Sequence, residues 1–141
     1  MEAALRAAER AKSIGDRPVG AVLVWPDGTA LSHADTTYSE QDATGHACIN
    51  VLRKATQTMR LRLSEATLVS TLEPCRMCAE AARLCGVREV VFGAYDLRDG
   101  GYSTGRTTDD TVVKGGVLGE QCRTVLPAHL REHTSGEKGN G

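Results

Sequence analysis

Ala66-Thr67-Leu68-Val69-Ser70-Thr71-Leu72-Glu73-Pro74-Cys75-Arg76-Met77-Cys78 is the stretch on which the fold turns. Its first seven residues read as a strand, and Pro74, with φ already fixed, suits the start of a helix. That helix runs to about Cys85, where Gly86 closes it. Arg88-Glu89-Val90-Val91-Phe92-Gly93 then supplies another strand. A strand, a helix and a strand in this order make a crossover unit, so the two strands should run parallel.

Upstream, Asp42 or Thr44 can cap a helix whose apolar positions are Ala47, Ile49, Val51, Leu52 and Ala55, which places His46 in its first turn. Earlier still, Val19 to Trp25, the turn Pro26-Asp27-Gly28, and Thr29 to His33 read as an antiparallel hairpin. Residues 2–13 carry an alanine-rich stripe among charges, a helix ended by Gly15 and Pro18. Downstream, Ala94 to Asp110 is a polar loop long enough to be functional or mobile. Thr111 to Lys114 suits a short edge strand, and Leu118 to Leu126 a last helix that weakens at Pro127. From Glu132 the tail has nothing to bury and is expected to be disordered.

A chain of 141 residues with 40% hydrophobic content supports one core. Its net charge of -1 and pI near 6.4 give no general attraction to a polyanion, which favours a small-molecule substrate over nucleic acid. No apolar run approaches the roughly 18 residues of a membrane span, and the first residues lack a signal peptide's order, so a soluble cytoplasmic protein is expected. Five cysteines, two of them in a Cys-x-x-Cys pair, point to metal or redox chemistry in a reducing compartment. Cys85 and Cys122 lie in apolar helical patterns and read as core.

Cys75 and Cys78 are three apart, a spacing that puts both thiols on one helical face about 5–6 Å apart, near enough to share a cation. Both lie where the helix dipole favours thiolate over thiol. His46, at the start of the other helix, is the natural third ligand for a zinc site with one position left open. A thioredoxin-like redox pair and half of a structural zinc ribbon are the alternatives, but the ribbon needs a second Cys-x-x-Cys that the chain lacks. Gly101-Tyr102-Ser103-Thr104-Gly105, with Asp109 and His129 after it, matches a nucleophile elbow in pattern only, because a polar turn precedes it instead of a buried strand.

Taken in order, Pro18 to Val24, Asp42-Ala43-Thr44-Gly45-His46-Ala47, Thr71 to Cys78, Val90 to Ala94 and Gly119-Glu120-Gln121-Cys122 resemble the zinc-dependent cytidine deaminase superfamily. Within it they resemble the branch of tRNA adenosine deaminases and guanine deaminases. The resemblance implies a three-layer α/β/α sandwich around a five-stranded mixed sheet, and a homodimer. It also implies one deaminase-like domain over residues 1–131, and Zn2+ held by His46, Cys75 and Cys78. The chemistry implied is zinc-assisted attack of water on a ring carbon bearing an amine.

In that family a glutamate two residues after the histidine moves the protons; here the position is Cys48, the catalytic candidate. A thiol with a reference pKa near 8.5 is no substitute for a carboxylate near 4.3. Cys48 can instead be a fourth, soft zinc ligand, or Glu73, Glu40 or Asp42 can supply the carboxylate, although Glu73, at a strand-to-helix junction, reads more readily as the anchor of that turn. Asp35, eleven residues before His46, matches an asparagine that binds the base or sugar in the family's purine enzymes, and an acidic side chain there only accepts hydrogen bonds. Asp35, Ala47 and Glu73 are the expected substrate-binding residues. The leading expectation is therefore hydrolytic deamination of a free nucleobase, nucleoside or related amino-heterocycle, purine-like, impaired or altered at Cys48. A tRNA wobble adenosine deaminase and a noncatalytic zinc-binding partner subunit are the alternatives.

Overall fold

The structure is a computed structural model that describes residues 1–58, 63–103 and 111–138. In chain order its elements are α1 (Glu2–Ser13), β1 (Gly20–Val24), β2 (Ala30–Ala34), α2 (Ala47–Thr58), β3 (Thr67–Leu72) and α3 (Arg76–Cys85). β4 (Glu89–Asp96), β5 (Val112–Lys114), α4 (Gly119–Val125), α5 (Ala128–Arg131) and β6 (Thr134–Ser135) follow.

The strands lie in the order β2-β1-β3-β4-β5. The β1–β2 hairpin is antiparallel, as is β1 with β3, while β3, β4 and β5 run parallel as the crossover requires. Register then divides the apolar residues between two faces. Ala21 lies opposite Ser70 and Leu23 opposite Leu68, whereas Val22 lies opposite Val69. Val22 and Val69 cluster with Ala4 of α1. Ala21, Leu23 and Leu68 belong to the larger cluster with Ala47, Cys48, Val51, Leu52 and Ala55 of α2. α3 packs beside α2 on that face. On the α1 face, Gly93 of β4 lies so close to Cys122 of α4 that any Cβ would overlap its sulfur. The expected three-layer α/β/α sandwich is the observed architecture, with α1 and α4 on one side of the mixed sheet and α2 and α3 on the other.

Three expectations need correction. The sheet has six strands, because Thr134–Ser135 adds antiparallel to Tyr95 and Asp96 at the end of β4. The tail is therefore ordered where disorder was expected: main-chain pairing, which polar residues satisfy as well as apolar ones, takes the place of side-chain burial. Leu97 N–H also donates to the His133 carbonyl at 2.7 Å. Only Gly139 to Gly141 of the tail lie outside the described residues. Secondly, His46 stands just before α2 and Cys75 is the N-cap of α3, so of the three only Cys78 is in a helical turn. Finally, β4 continues through Asp96 into what was expected to be loop. Residues 104–110 of that loop, with Thr104, Gly105 and Asp109 of the rejected elbow, lie outside the described residues.

Candidate functional site

Two chain junctions bring the expected metal ligands together. β3 ends at Leu72 and the extended backbone of Cys75 (φ -68°, ψ 176°) turns the chain into α3, so Cys78 follows one turn later on the same side. The other junction is tied by Asn50, whose amide donates to the Ala34 carbonyl at 2.9 Å and the Thr36 hydroxyl at 2.9 Å, at the end of β2. Asn50 N–H donates to the His46 carbonyl at 2.9 Å, which sets the histidine at the helix entrance.

Nδ1 of His46 lies 3.5 Å from Sγ of Cys75 and 3.5 Å from Sγ of Cys78. The three ligand atoms all fall within 4.8 Å of one another. Tetrahedral zinc with Zn–S of about 2.3 Å and Zn–N of about 2.0–2.1 Å separates sulfur from nitrogen by about 3.6 Å. The donor set and its spacing fit zinc. The thiol electrostatics fit as well: the Cys78 hydrogen bond, against opposing burial and with help from His46, holds Cys75 down to about 4. Cys78 is pushed up by its hydrogen bonds to Cys48 and Cys75 and by burial. Binding of a cation by these thiols would require their deprotonation and release the protons they carry.

A cavity of about 460 Å³ opens beside the cluster. Its wall includes the expected metal ligands, the catalytic candidate and the expected substrate-binding residues: Asp35, His46, Ala47, Cys48, Glu73, Cys75 and Cys78. Glu40 and Asp42, offered as substitute carboxylates, are absent from the wall residues given for this cavity. Asp42 Oδ1 instead accepts from the Thr44 N–H at 2.9 Å and hydroxyl at 2.7 Å. Sequence reasoning missed Arg17, Arg76 and Arg98, which also line the cavity. An arginine beside Pro18, one after Cys75 and one in a polar loop share no pattern that would have grouped them.

Glu73, expected to bind substrate, is committed elsewhere. Its Oε1 accepts from Asp96 N–H at 3.0 Å and the Ser103 hydroxyl at 2.7 Å; Oε2 accepts from the N–H groups of Tyr102 at 3.0 Å and Ser103 at 2.7 Å. Four donors occupy a carboxylate that is 2% exposed, so it braces the 96–103 loop. Asp35 differs. It is 1% exposed; Oδ1 accepts from Thr37 N–H at 2.8 Å, while Oδ2 has no hydrogen-bond partner among the described residues and faces the Arg17 guanidinium at 3.7 Å.

Residues 1–94 match the family described as the cytidine and deoxycytidylate deaminase zinc-binding region, a span that contains all three ligand candidates. The chain belongs to this deaminase family. As a deaminase it is similar to the tRNA-specific adenosine deaminase of Bacillus subtilis (strain 168), with 38% identity over 141 residues, 94% of this chain and 87% of that relative. It is also similar to a solved structure from a study of A-to-I editing by tRNA:A34 deaminases at the wobble position, with a TM-score of 0.81, 33% identity, and coverage of 89% of this chain and 97% of the other. The guanine deaminase from Nitrosomonas europaea shares the fold at a TM-score of 0.73 and 21% identity, covering 94% of this deaminase and 81% of that chain.

These likenesses overturn the expectation of a free nucleobase or nucleoside substrate, because the relatives above 30% identity are those named for tRNA. The whole-chain charge of -1 does not decide the substrate: the cavity wall is itself of mixed charge, with Arg17, Arg76 and Arg98 beside Asp35, Glu73, Asp96 and Asp99. Among the described residues no helix is long and apolar enough to cross a membrane.

Proposed function

We propose that this deaminase takes an adenosine of a tRNA into the cavity beside a zinc held by His46, Cys75 and Cys78, and that its own hydrolysis is slow because of Cys48. The observation that supports this reading is the zinc-sized triangle of ligands set in a cavity lined by Arg17, Arg76 and Arg98. Zinc, when bound, supplies the Lewis acidity that lets water replace the adenine amine at neutral pH, giving inosine. Arg76, exposed at the cavity wall, suits a phosphate that flanks an extruded base, while Arg17 and Arg98 stand beside Asp35 and Asp99. Asp35 accepts an N–H of the base, and Ala47 forms the wall next to the metal. Cys48 stands where the family moves protons, and loss of a positioned acid–base group removes about 10²–10⁴ of rate.

The test uses an anticodon stem-loop with adenosine at the wobble position and reads inosine formation. Zinc-loaded Cys48→Glu is expected to exceed the parent chain by about 10²–10⁴, and binding of both is expected to weaken steeply with salt. A zinc-loaded Cys48→Glu that forms no inosine and binds the stem-loop no better at low salt would refute the proposal.

The burial of Cys48, 3% exposed on the wall of the cavity, favours a second reading: a noncatalytic zinc-binding partner subunit. Turnover by the isolated parent chain would exclude it. Self-association as a homodimer belongs to the same proposal, supported by Met77 and Leu84, which are exposed seven residues apart on α3. A cytoplasmic location, where tRNA and free thiols coexist, belongs there too.

A further inference from the structure

Among the acidic side chains of the cavity wall, Glu73 holds four donors, Asp96 Oδ1 accepts the N–H groups of Arg98 and Asp99, and Asp99 pairs with the Arg98 guanidinium at 3.2 Å. Asp35 stands apart from these. Its Oδ2 and the Nη1 of Arg17 face one another at 3.7 Å, beyond the roughly 3.2 Å at which an N–H group and an oxygen bond well. Charge attraction holds the pair, and its hydrogen-bonding capacity is unspent.

The fold sets this arrangement. β1 and β2 pair with Gly20 opposite Ala34, which brings Asp35 back beside Val19, and Asp35 N–H donates to the Val19 carbonyl at 3.0 Å. Val19 N–H donates in turn to the Arg17 carbonyl at 2.7 Å, across Pro18, whose ring fixes φ. Thr37 N–H donates to Oδ1 of Asp35 at 2.8 Å, which orients the carboxylate. Asp35 is 1% exposed and its Oδ2 has no hydrogen-bond partner among the described residues, whereas the Arg17 side chain is 24% exposed and can adjust to what enters. A buried oxygen fixed in this way is satisfied by a donor from outside the chain, and both residues line the cavity.

We propose that Arg17 and Asp35 together read one edge of the adenine, the guanidinium donating to ring N7 and the carboxylate accepting from the exocyclic amine. This rests on the reading of the substrate as an adenosine and adds the residues that select the base. A single asparagine or glutamine amide reads that edge with its own donor and acceptor. An aspartate only accepts, so the donor must come from a second side chain, and Arg17 is the cation paired with it. Guanine presents two acceptors, N7 and O6, on the same edge. One of them would meet the carboxylate, so the pair rejects guanine by repulsion as well as choosing adenine by fit.

The experiment measures binding of the zinc-loaded full chain to an anticodon stem-loop carrying adenosine, 7-deazaadenosine, purine riboside without the amine, or 2′-deoxyadenosine at the wobble position. The parent is expected to bind the second and third about 5–100-fold more weakly than the first. Arg17→Met should bind 7-deazaadenosine and adenosine alike while still losing affinity for the purine without the amine, and Asp35→Ala should do the reverse. An ion pair that only supports the fold would lower all affinities by one factor and leave the parent's ratios in both variants, which overturns the inference. A parent that does not distinguish adenosine from the two base analogues overturns it while leaving the adenosine reading standing, and so does a loss confined to 2′-deoxyadenosine, which puts the pair on the sugar. A chain that binds none of the stem-loops at low salt overturns both. Should Asp35→Ala fail to fold, as circular dichroism would show, the ratios of the parent and Arg17→Met decide alone.

Discussion

Replacing Glu73 by glutamine tests whether this carboxylate is the brace of the 96–103 loop. Glutamine keeps one oxygen and presents an NH2 in place of the other. If the NH2 faces the Oε1 side, the Ser103 hydroxyl can rotate to accept from it, but the Asp96 N–H loses its acceptor. If it faces the Oε2 side, the N–H groups of both Tyr102 and Ser103 lose theirs. The first arrangement is better, and it leaves one buried donor unpaired at about 1–3 kcal/mol while weakening bonds that had a charged acceptor. The sum is a loss of about 2–4 kcal/mol. Urea unfolding of the zinc-loaded protein should show the midpoint lowered by about 1–2 M with an unchanged slope. Ser103→Ala, which removes one of the four bonds, should cost about 1–2 kcal/mol. A loss below about 0.5 kcal/mol for Glu73→Gln would refute the brace, because no such network tolerates an unpaired donor at that cost.

Gly93→Ala drives a methyl into Cys122, and about 1–3 kcal/mol of destabilisation is expected in the same unfolding assay. Asp16 links the segment after α1 to the loop after β2 by accepting the N–H groups of Tyr38 at 2.9 Å and Ser39 at 2.8 Å. Burial pushes its pKa up, but the bonds from Ser39 and Tyr38 outweigh that and hold it below the ordinary 3.8. Its folded pKa being the lower one, the stability it lends is full above about 4 and is lost as pH falls through the folded value. The difference in unfolding free energy between the parent and Asp16→Asn should therefore shrink in acid. Chelation of zinc should lower the melting temperature, and returning the metal should restore it, with protons released into weak buffer on rebinding.

The parts of the fold legible in the sequence are those written in side-chain burial. Val19 to Trp25 is a continuous apolar run because both faces of β1 are covered, and it reads as a strand for that reason; Ala66 to Leu72 reads as one from Leu68, Val69, Leu72 and its β-favouring threonines. β6 left no such mark: two polar residues pair through their main chain, which composition does not record. The metal triad was legible because its chemistry restricts residue type and spacing. Its surroundings were not. Glu73 reads as a pocket residue or as the anchor of its own turn, but nothing in the sequence points to Ser103, thirty positions on, as its partner. Likewise Arg17 acquires meaning only when the hairpin carries Asp35 back beside it.

Glu73 and Cys75 sit two residues apart at the end of β3, one gripping a loop and the other facing the metal cluster. That short turn acts as a common mounting point. A different loop between Asp96 and Ser103 need only offer main-chain N–H groups, which every residue but proline carries, to seat on the same carboxylate. The rim of the pocket is thereby interchangeable, while the cysteines that would hold a cation stay fixed by the strand that leads into them. Such a division lets a lineage change what it admits without rebuilding the centre that would act on it.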